Sequence, residues 1–514
     1  MKVIENKTHT NILSAILLVT MVVFLSSQLL AQQILKGPYL PEPGDKNMTI
    51  RFEFDSRGDY VLEYGTKKTS TKEINLLYRG SAHGGHLYTV TLTGLKSNTT
   101  YSYRLIKPMA DEWYSFKTFQ ANQSKLSFVA MGDSRSNPEI FTKIMKETKD
   151  LNPDFIISMG DLVEVGGEYD QWQDFYFSVV KGFVESTPIV STLGDHETNG
   201  DNGDLFRYFL RNEETVDKQW FSFDYGDAHF ISLDYRFEND PEMIDWFIKD
   251  ITAANKKWNF VYMHRGAYNF GGHRTDWGRE FWPDLFSKYK VDIVFAGHSH
   301  LYERFFPVRS ENTANAVTYI TTGGAGAGLY QSVKNKAIVA VTESVNNFVS
   351  IKIDGNTLDM KARRMDGSLL DELVIVKGKK GYNAAYKAQI VSQKQMNTIT
   401  GFNSAIAANL TAIPLFEKAA KYEINIQSSV DEDIPFTIEL TEESAKTYSM
   451  EVYRDTLRSN EKKTAGFPIN RHEDMTIHPW GNFDPPLRLR IIYQYNTKTD
   501  TIVGKGINYF PEEY

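Results

Sequence analysis

The chain has no cysteine among its 514 residues. That excludes a disulfide framework, thiolate metal sites and cysteine-based catalysis. It also removes the usual pointer to redox compartment, because a disulfide-free protein can live on either side of a membrane. Positive charge is short as well. Lys and Arg number 57 against 65 Asp and Glu, a net charge of -8 with no long Lys/Arg stretch, so nothing marks a nucleic-acid-binding surface. Gly and Pro are not in excess, and no internal repeat or low-complexity tract is visible. Beyond residue 31 no segment is apolar enough to span a membrane.

What is present is globular in character: 41% hydrophobic, 24% charged, and 13% aromatic, which leans toward β-rich structure. A chain of this length exceeds one ordinary hydrophobic core, so several domains are expected. Residues 1–31 read as a signal peptide: Lys2 and Lys7 precede the apolar run Ile12 to Leu30, and Ala31 stands before Gln32-Gln33 as a cleavage point. The competing reading is an uncleaved anchor; the polar Ser26-Ser27-Gln28 stretch favours cleavage and a secreted, periplasmic or otherwise extracytoplasmic protein. No cysteine is there to take a lipid, and no stable membrane span follows cleavage.

Residues 34–119 alternate with period two. Met48, Ile50, Phe52 and Phe54 share one face, with Thr49, Arg51 and Glu53 on the other; Tyr60–Tyr64, Leu87–Leu92 and Tyr101–Leu105 read as further strands. Short strands with no helix between them predict a β-sandwich. Polar residues 121–124 form a linker, and the period then changes. In residues 125–376 the apolar strands Leu126–Met131, Phe155–Met159, Ile189–Leu193, Phe260–Met263 and Val291–Ala296 alternate with helical stretches. The first of these has Asn137 as N-cap, Pro138 at the first turn, and Ile140/Ile144 and Phe141/Met145 pairs. This predicts an α/β domain of layered mixed β-sheets flanked by helices. Phe221–Tyr235 and Val317–Thr322 supply added strands. After Lys377–Gly381, a helical stretch near Ala384–Gln395 leads to a C-terminal β-rich domain, 382–514, with strands at Pro435–Leu440 and Leu487–Tyr495 and no visible chemistry.

Each α/β strand ends on side chains suited to a metal. Gly132-Asp133, Gly160-Asp161, Gly194-Asp195-His196-Glu197, His264 and Gly297-His298-Ser299-His300 follow the five strands in order. Ligands in open α/β sheets bind at the carboxyl ends of strands, so the five clusters should converge. A Gly-Asp pair alone is usually a turn, and a lone His is more often a buried core residue. Five such clusters in series are another matter. Three carboxylates and three imidazoles suffice for two divalent or trivalent cations, Fe, Zn or Mn, with positions left for water and substrate.

These motifs resemble those of the calcineurin-like metallophosphoesterases, and among them the purple acid phosphatases. Phe221–Phe230, Gly297–Arg304 and Tyr319–Gly324 look like further family segments, while Gly37–Leu40 and Leu92–Leu95 are similar to a fibronectin type III-like domain that precedes such catalytic domains. The resemblance covers about residues 35–376. It implies that Asp161 bridges two metals, that Asp133 and His300 hold one, and that Asp195, His264 and His298 hold the other. It places His196 over the substrate, oriented by Glu197. Three departures stand out. Asp195 replaces the family's usual Asn, Glu164 occupies the position of a tyrosinate ligand, and Arg135 occupies that of a His ligand in other members. Glu164 either replaces the lost ligand or is solvated; Arg135 is either a phosphate clamp or half of an ion pair. Arg265 and His273 are candidates to face the pocket, and Tyr268 and Trp277 either stack on a substrate or pack in the core. The implied function is hydrolysis of small phosphate monoesters by a metal-bridging hydroxide, with His196 as general acid. Phosphodiester or nucleotide hydrolysis on the same site, or a degenerate site in a binding or adhesion protein, are the alternatives.

Overall fold

A computed structural model describes residues 32–378 apart from 109, 122–123, 212–217, 274, 311–312, 314 and 333–337, and then residues 390–392, 396, 419–427, 433–458, 461–472, 476–477, 483–484, 487–495 and 498–503. The signal-peptide reading of residues 1–31 lies outside them. The chain forms two compact units, one of residues up to Thr118 with Lys181–Pro188, the other of Phe119–Val180 and Ile189 onward.

In the first unit, two four-stranded antiparallel sheets enclose one apolar core. Ile34–Tyr39, Met48–Phe54, Gly85–Leu92 and Leu77–Ala82 make one; Ser70–Asn75, Val61–Lys67, Thr100–Lys107 and Tyr114–Lys117 make the other. Ile50, Leu62, Val90, Tyr103 and Leu105 sit at its centre. The alternating face of Met48–Phe54 packs inward as its period requires, but Thr49, Arg51 and Glu53 are buried too. Burial without partners would cost several kcal/mol, on the order of 2–7 per group. The structure supplies partners: Lys36 Nζ meets Glu53 at 2.5 Å, and the Thr49 hydroxyl meets that of Thr91 at 2.9 Å.

The second unit stacks two mixed sheets. One runs in the order Ile189–Ser191, Phe155–Ser158, Lys125–Met131, Asn347–Asp354, Thr357–Arg364, Leu369–Val376, with the first three strands parallel. The other has Ala228–Ser232, Trp258–Met263, Ile293–Ala296 and Ala316–Thr322 as neighbouring parallel strands, flanked by antiparallel ones. Aromatic rings fill the space between the sheets: Phe128 lies 5.5 Å from Phe155 in its own sheet and 5.0 Å from Phe230 in the other. The outer layer includes helices Pro138–Leu151, Pro241–Ala254 and Trp282–Lys288. Asn137 caps the first as expected, accepting from the Ile140 N–H, and Asn152 ends it in the left-handed conformation at φ 49°. Phe141, Ile144 and Met145 are its buried face.

Toward the C-terminus, Ile434–Leu440 and Leu489–Tyr495 pair antiparallel in a four-stranded sheet, and Ala419–Gln427 and Lys462–Arg471 pair in another. The helical stretch expected near Ala384–Gln395 lies mostly outside the described residues. Where it is described, at Val391–Ser392, it is a strand pairing with Val308–Arg309 instead. That pairing satisfies backbone groups a short helix would have left to water.

Candidate metal centre

The predicted strands end where the chemistry gathers. Strands Lys125–Met131, Phe155–Ser158 and Ile189–Ser191 deliver Asp133, Asp161 and Asp195 from one sheet; Trp258–Met263 and Ile293–Ala296 deliver His264, His298 and His300 from the other. Backbone hydrogen bonds knit the loops together: Asp133 N–H to Gly160 O at 3.0 Å, Arg135 N–H to Asp161 O at 3.1 Å, and Gly297 N–H to His264 O at 3.0 Å. Asp133, Asp161 and His298 all have left-handed backbones, at φ 60°, 57° and 64°. A non-glycine residue pays for that conformation, and several such residues in one place mark a site whose geometry the surrounding fold imposes. Gly160, at φ 84°, is needed for a second reason: a Cβ there would come 2.5 Å from Gly194 N.

The imidazoles are aimed by the backbone. His264 Nδ1 lies 2.8 Å from Met159 O and His300 Nδ1 lies 2.7 Å from Gly328 O. A carbonyl only accepts, so both rings carry a proton on Nδ1 and turn Nε2 inward. Backbone-held imidazoles of this kind are characteristic of metal ligands. Asp195 Oδ1 contacts His264 Nε2 and lies 3.1 Å from His298 Nδ1, and the two imidazole nitrogens are 3.2 Å apart. Donor atoms of Asp195, His264 and His298 fall within 4.8 Å of one another, as do those of Asp133, Asp161 and His264. This donor set fits a transition-metal cation.

The electrostatics point the same way. Burial acts against the charged form of Asp195, but hydrogen bonds from His264 and His298 hold it well below the usual carboxylate range. Burial would lower His264; the charges of Asp161 and Asp195 outweigh it and raise the imidazole to about 10. The negative potential that holds a proton there is what would hold a cation in its place. Asp161 is almost fully buried, and burial raises its carboxyl.

Arg135 does not point to solvent. Its Nε lies 3.2 Å from Asp161 Oδ2, its Nη1 2.7 Å from Glu164 Oε2, and its Nη2 3.4 Å from His300 Nε2. Glu164 is half-buried and takes a hydrogen bond from Ser136 as well, so its solvated reading gives way to an ion pair. His196 has a half-buried side chain; Nδ1 lies 2.6 Å from Glu164 O and Nε2 lies 3.9 Å from Asp161.

Glu197 departs from its expected role. It is wholly buried and accepts N–H bonds from Asp161 (2.8 Å), Leu162 (2.6 Å), Val163 (3.4 Å) and Gly194 (2.7 Å). His196 is oriented by the Glu164 carbonyl, not by Glu197. The physical reason is that two adjacent loops turn four N–H groups inward, and a carboxylate is the group that satisfies them all. Burial and the Asp161 charge push the Glu197 carboxyl up, opposed by those N–H groups.

Of the four peripheral candidates, two reach the site. Arg265 Nη2 lies 3.4 Å from Asp195, and the His273 ring is 5.1 Å from that of His298. Tyr268 and Trp277 do not; Tyr268 packs on Tyr319, and the Trp277 indole N–H donates to Tyr235 O, both buried. Sequence reasoning missed Tyr330, whose ring stacks on His300 at 4.3 Å and on His273 at 4.6 Å. Its signal was the Gly-rich run Gly323–Gly328 just before it, which wraps Asp133 through the Ala327 N–H to Asp133 O bond. Tyr235, edge-on to His264 at 5.7 Å, carried no such signal.

Residues 126–302 match the calcineurin-like phosphoesterase family, and residues 40–118 match the purple acid phosphatase N-terminal domain. The chain thus carries a calcineurin-like phosphoesterase domain preceded by a purple acid phosphatase N-terminal domain. The chain is 25% identical to the "Probable inactive purple acid phosphatase 1" of Arabidopsis thaliana, over 48% of this chain and 50% of that one. It is 26% identical to Purple acid phosphatase 21 of the same plant, over 52% of this chain and 65% of the relative. The chain thus spans half to two-thirds of the length of these curated relatives. In fold it resembles a purple acid phosphatase isolated from yellow lupin (Lupinus luteus) seeds, with a TM-score of 0.60 and 20% identity over 67% of this chain and 74% of that one.

Proposed function

We propose that this phosphoesterase hydrolyses small phosphate monoesters at the Asp133, Asp161, Asp195, His264, His298 and His300 cluster. The observation that carries the reading is the gathering of these side chains from five strand ends in two sheets: five of them form two donor groups that share His264, and His300 Nε2 lies 3.5 Å from Asp133. When a cation such as Fe, Zn or Mn is bound on these donors, it acidifies water and neutralises charge on the phosphoryl oxygens.

The chain's own residues do the rest. Asp161 sits between the Asp133/His300 half and the Asp195/His264/His298 half, 3.4 Å from His264 Nε2. Arg135 and Arg265 bring guanidinium groups to the rim; the latter's side chain is the more exposed, at 38%. Two fixed cations beside imidazoles suit a dianionic monoester better than a monoanionic diester. His196 has Nδ1–H held on the Glu164 carbonyl, which leaves Nε2 to carry a proton to the departing alkoxide. The apolar run of residues 12–30 supports export, and no helix among the described residues is long and apolar enough to cross a membrane.

A degenerate, binding-only site is the second reading, favoured by the likeness to an Arabidopsis relative named a probable inactive purple acid phosphatase and by Arg135 standing among the donors. The intact set of six opposes it. A hydrolysis screen of alkyl and aryl monoesters, diesters and nucleotides, with metal content measured on the same sample, decides between them. Turnover of monoesters above diesters supports the proposal; inactivity on all substrates with metal bound refutes it.

A further inference from the structure

We infer that this phosphoesterase holds one metal ion firmly, on Asp161, Asp195, His264 and His298, and that the Arg135 guanidinium takes the place of a second. The inference rests on the reading of the cluster as a metal centre.

Three contacts carry it. Arg135 Nε engages Asp161 Oδ2 at 3.2 Å, Nη1 engages Glu164 Oε2 at 2.7 Å, and Nη2 faces His300 Nε2 at 3.4 Å. Asp161, the position of Glu164, and His300 are three of the four positions that the resemblance assigns to the second ion; one planar guanidinium reaches all three. The His300 tautomer makes the competition direct. With Nδ1–H donated to Gly328 O at 2.7 Å, the ring has a single lone pair, on Nε2, and it faces Arg135. That lone pair serves a guanidinium N–H or a metal, not both. Arginine itself offers no lone pair and stays protonated, so it cannot join a coordination sphere.

The fourth position, Asp133, accepts the His298 N–H on its two oxygens at 3.0 and 2.9 Å, and its Oδ1 lies 3.5 Å from His300 Nε2. Asp133, Asp161 and His264 do form a second convergent set, but it shares His264 with the first, and one imidazole nitrogen ligates one ion. The sequence departures run in one direction. Asp195 in place of Asn adds a charge to the half that keeps its ion, while Arg135 and Glu164 alter the half that loses it.

The test counts ions. The full chain is purified, exposed to excess Mn, freed of unbound metal, and assayed by elemental analysis and electron paramagnetic resonance. The expected result is about one Mn per chain with the spectrum of an isolated ion. Arg135→His, which restores an imidazole and removes the charge, should take up about two and show a spin-coupled pair. Arg135→Gln, which removes only the charge, should gain a second, weaker ion on titration. Two ions with a coupled spectrum in the unaltered chain overturn the inference while leaving the proposed activity standing. One ion in both folded variants overturns it as well. No ion in the unaltered chain sinks the metal-centre reading itself.

Discussion

Replacing Glu197 by Gln separates a loop-holding carboxylate from an imidazole-orienting one. Oε2 receives the Asp161 and Gly194 N–H groups at 2.8 and 2.7 Å; Oε1 receives Leu162 at 2.6 Å and Val163 at 3.4 Å. A Gln side chain offers one carbonyl and one NH2, so whichever way it turns, one pair of buried donors faces another donor. An orphaned buried N–H costs about 1–3 kcal/mol, so two cost about 2–6 kcal/mol. For a domain of this size each kcal/mol moves Tm by about 2–4 °C, which predicts a fall of roughly 4–24 °C. Thermal unfolding followed by circular dichroism, at matched metal content, reads it out. If Glu197 instead oriented His196, the variant would unfold within about 1 °C of the parent and lose only activity. That outcome would refute the loop-holding account.

Other outcomes follow from the same geometry. Asp161→Asn removes the carboxylate shared by both halves of the site, so metal content should fall and turnover should drop by more than about a hundredfold, beyond what outer partners cost. His196→Ala should keep its metal but lose about a hundred- to ten-thousand-fold on alkyl phosphates and far less on nitrophenyl phosphate, whose leaving group needs no proton. Equal losses on both would remove the proton-donor role, and loss of metal would make His196 a ligand. Away from the site, His229 is buried between Asp224 at 2.7 Å and Asp250 at 2.9 Å; burial lowers its pKa, but the two carboxylates outweigh this and raise it above 6.5. A raised folded pKa adds stability that is complete below the unfolded value and is lost as pH climbs through the folded one. The Tm gap between the parent and His229→Gln should therefore be wider at pH about 5.5 than at about 9, and a gap independent of pH would contradict the pairing.

The strand-end Asp and His residues were legible because their physics is local. A run of apolar residues, a glycine, then Asp or His states both the strand and the turn that follows; Asp133, Asp161 and His298 obey it, His264 closes its apolar run directly, and His300 follows two residues after His298. The Asn137 cap was legible for the same reason. What escaped depends on residues far apart in sequence. Glu197 was read as a partner of its neighbour His196, yet its donors come from residues 161–163 and 194. Arg135 reads as either a phosphate clamp or half of an ion pair until Glu164 and His300, 29 and 165 positions away, are folded against it. Tyr330 follows a Gly-rich run that looks like a plain loop, and only folding brings its ring onto His300. Tyr268 and Trp277 show the converse: large aromatics in a polar loop still packed inward, as apolar area usually dictates.

One titration tests whether hydrolysis depends on the metal. The purified chain is stripped with chelator, assayed on a phosphate monoester, and reloaded stepwise with Mn while activity and bound metal are followed together. The account predicts no turnover in the stripped protein and recovery in proportion to bound ion. Full monoester hydrolysis in the metal-free chain would contradict it.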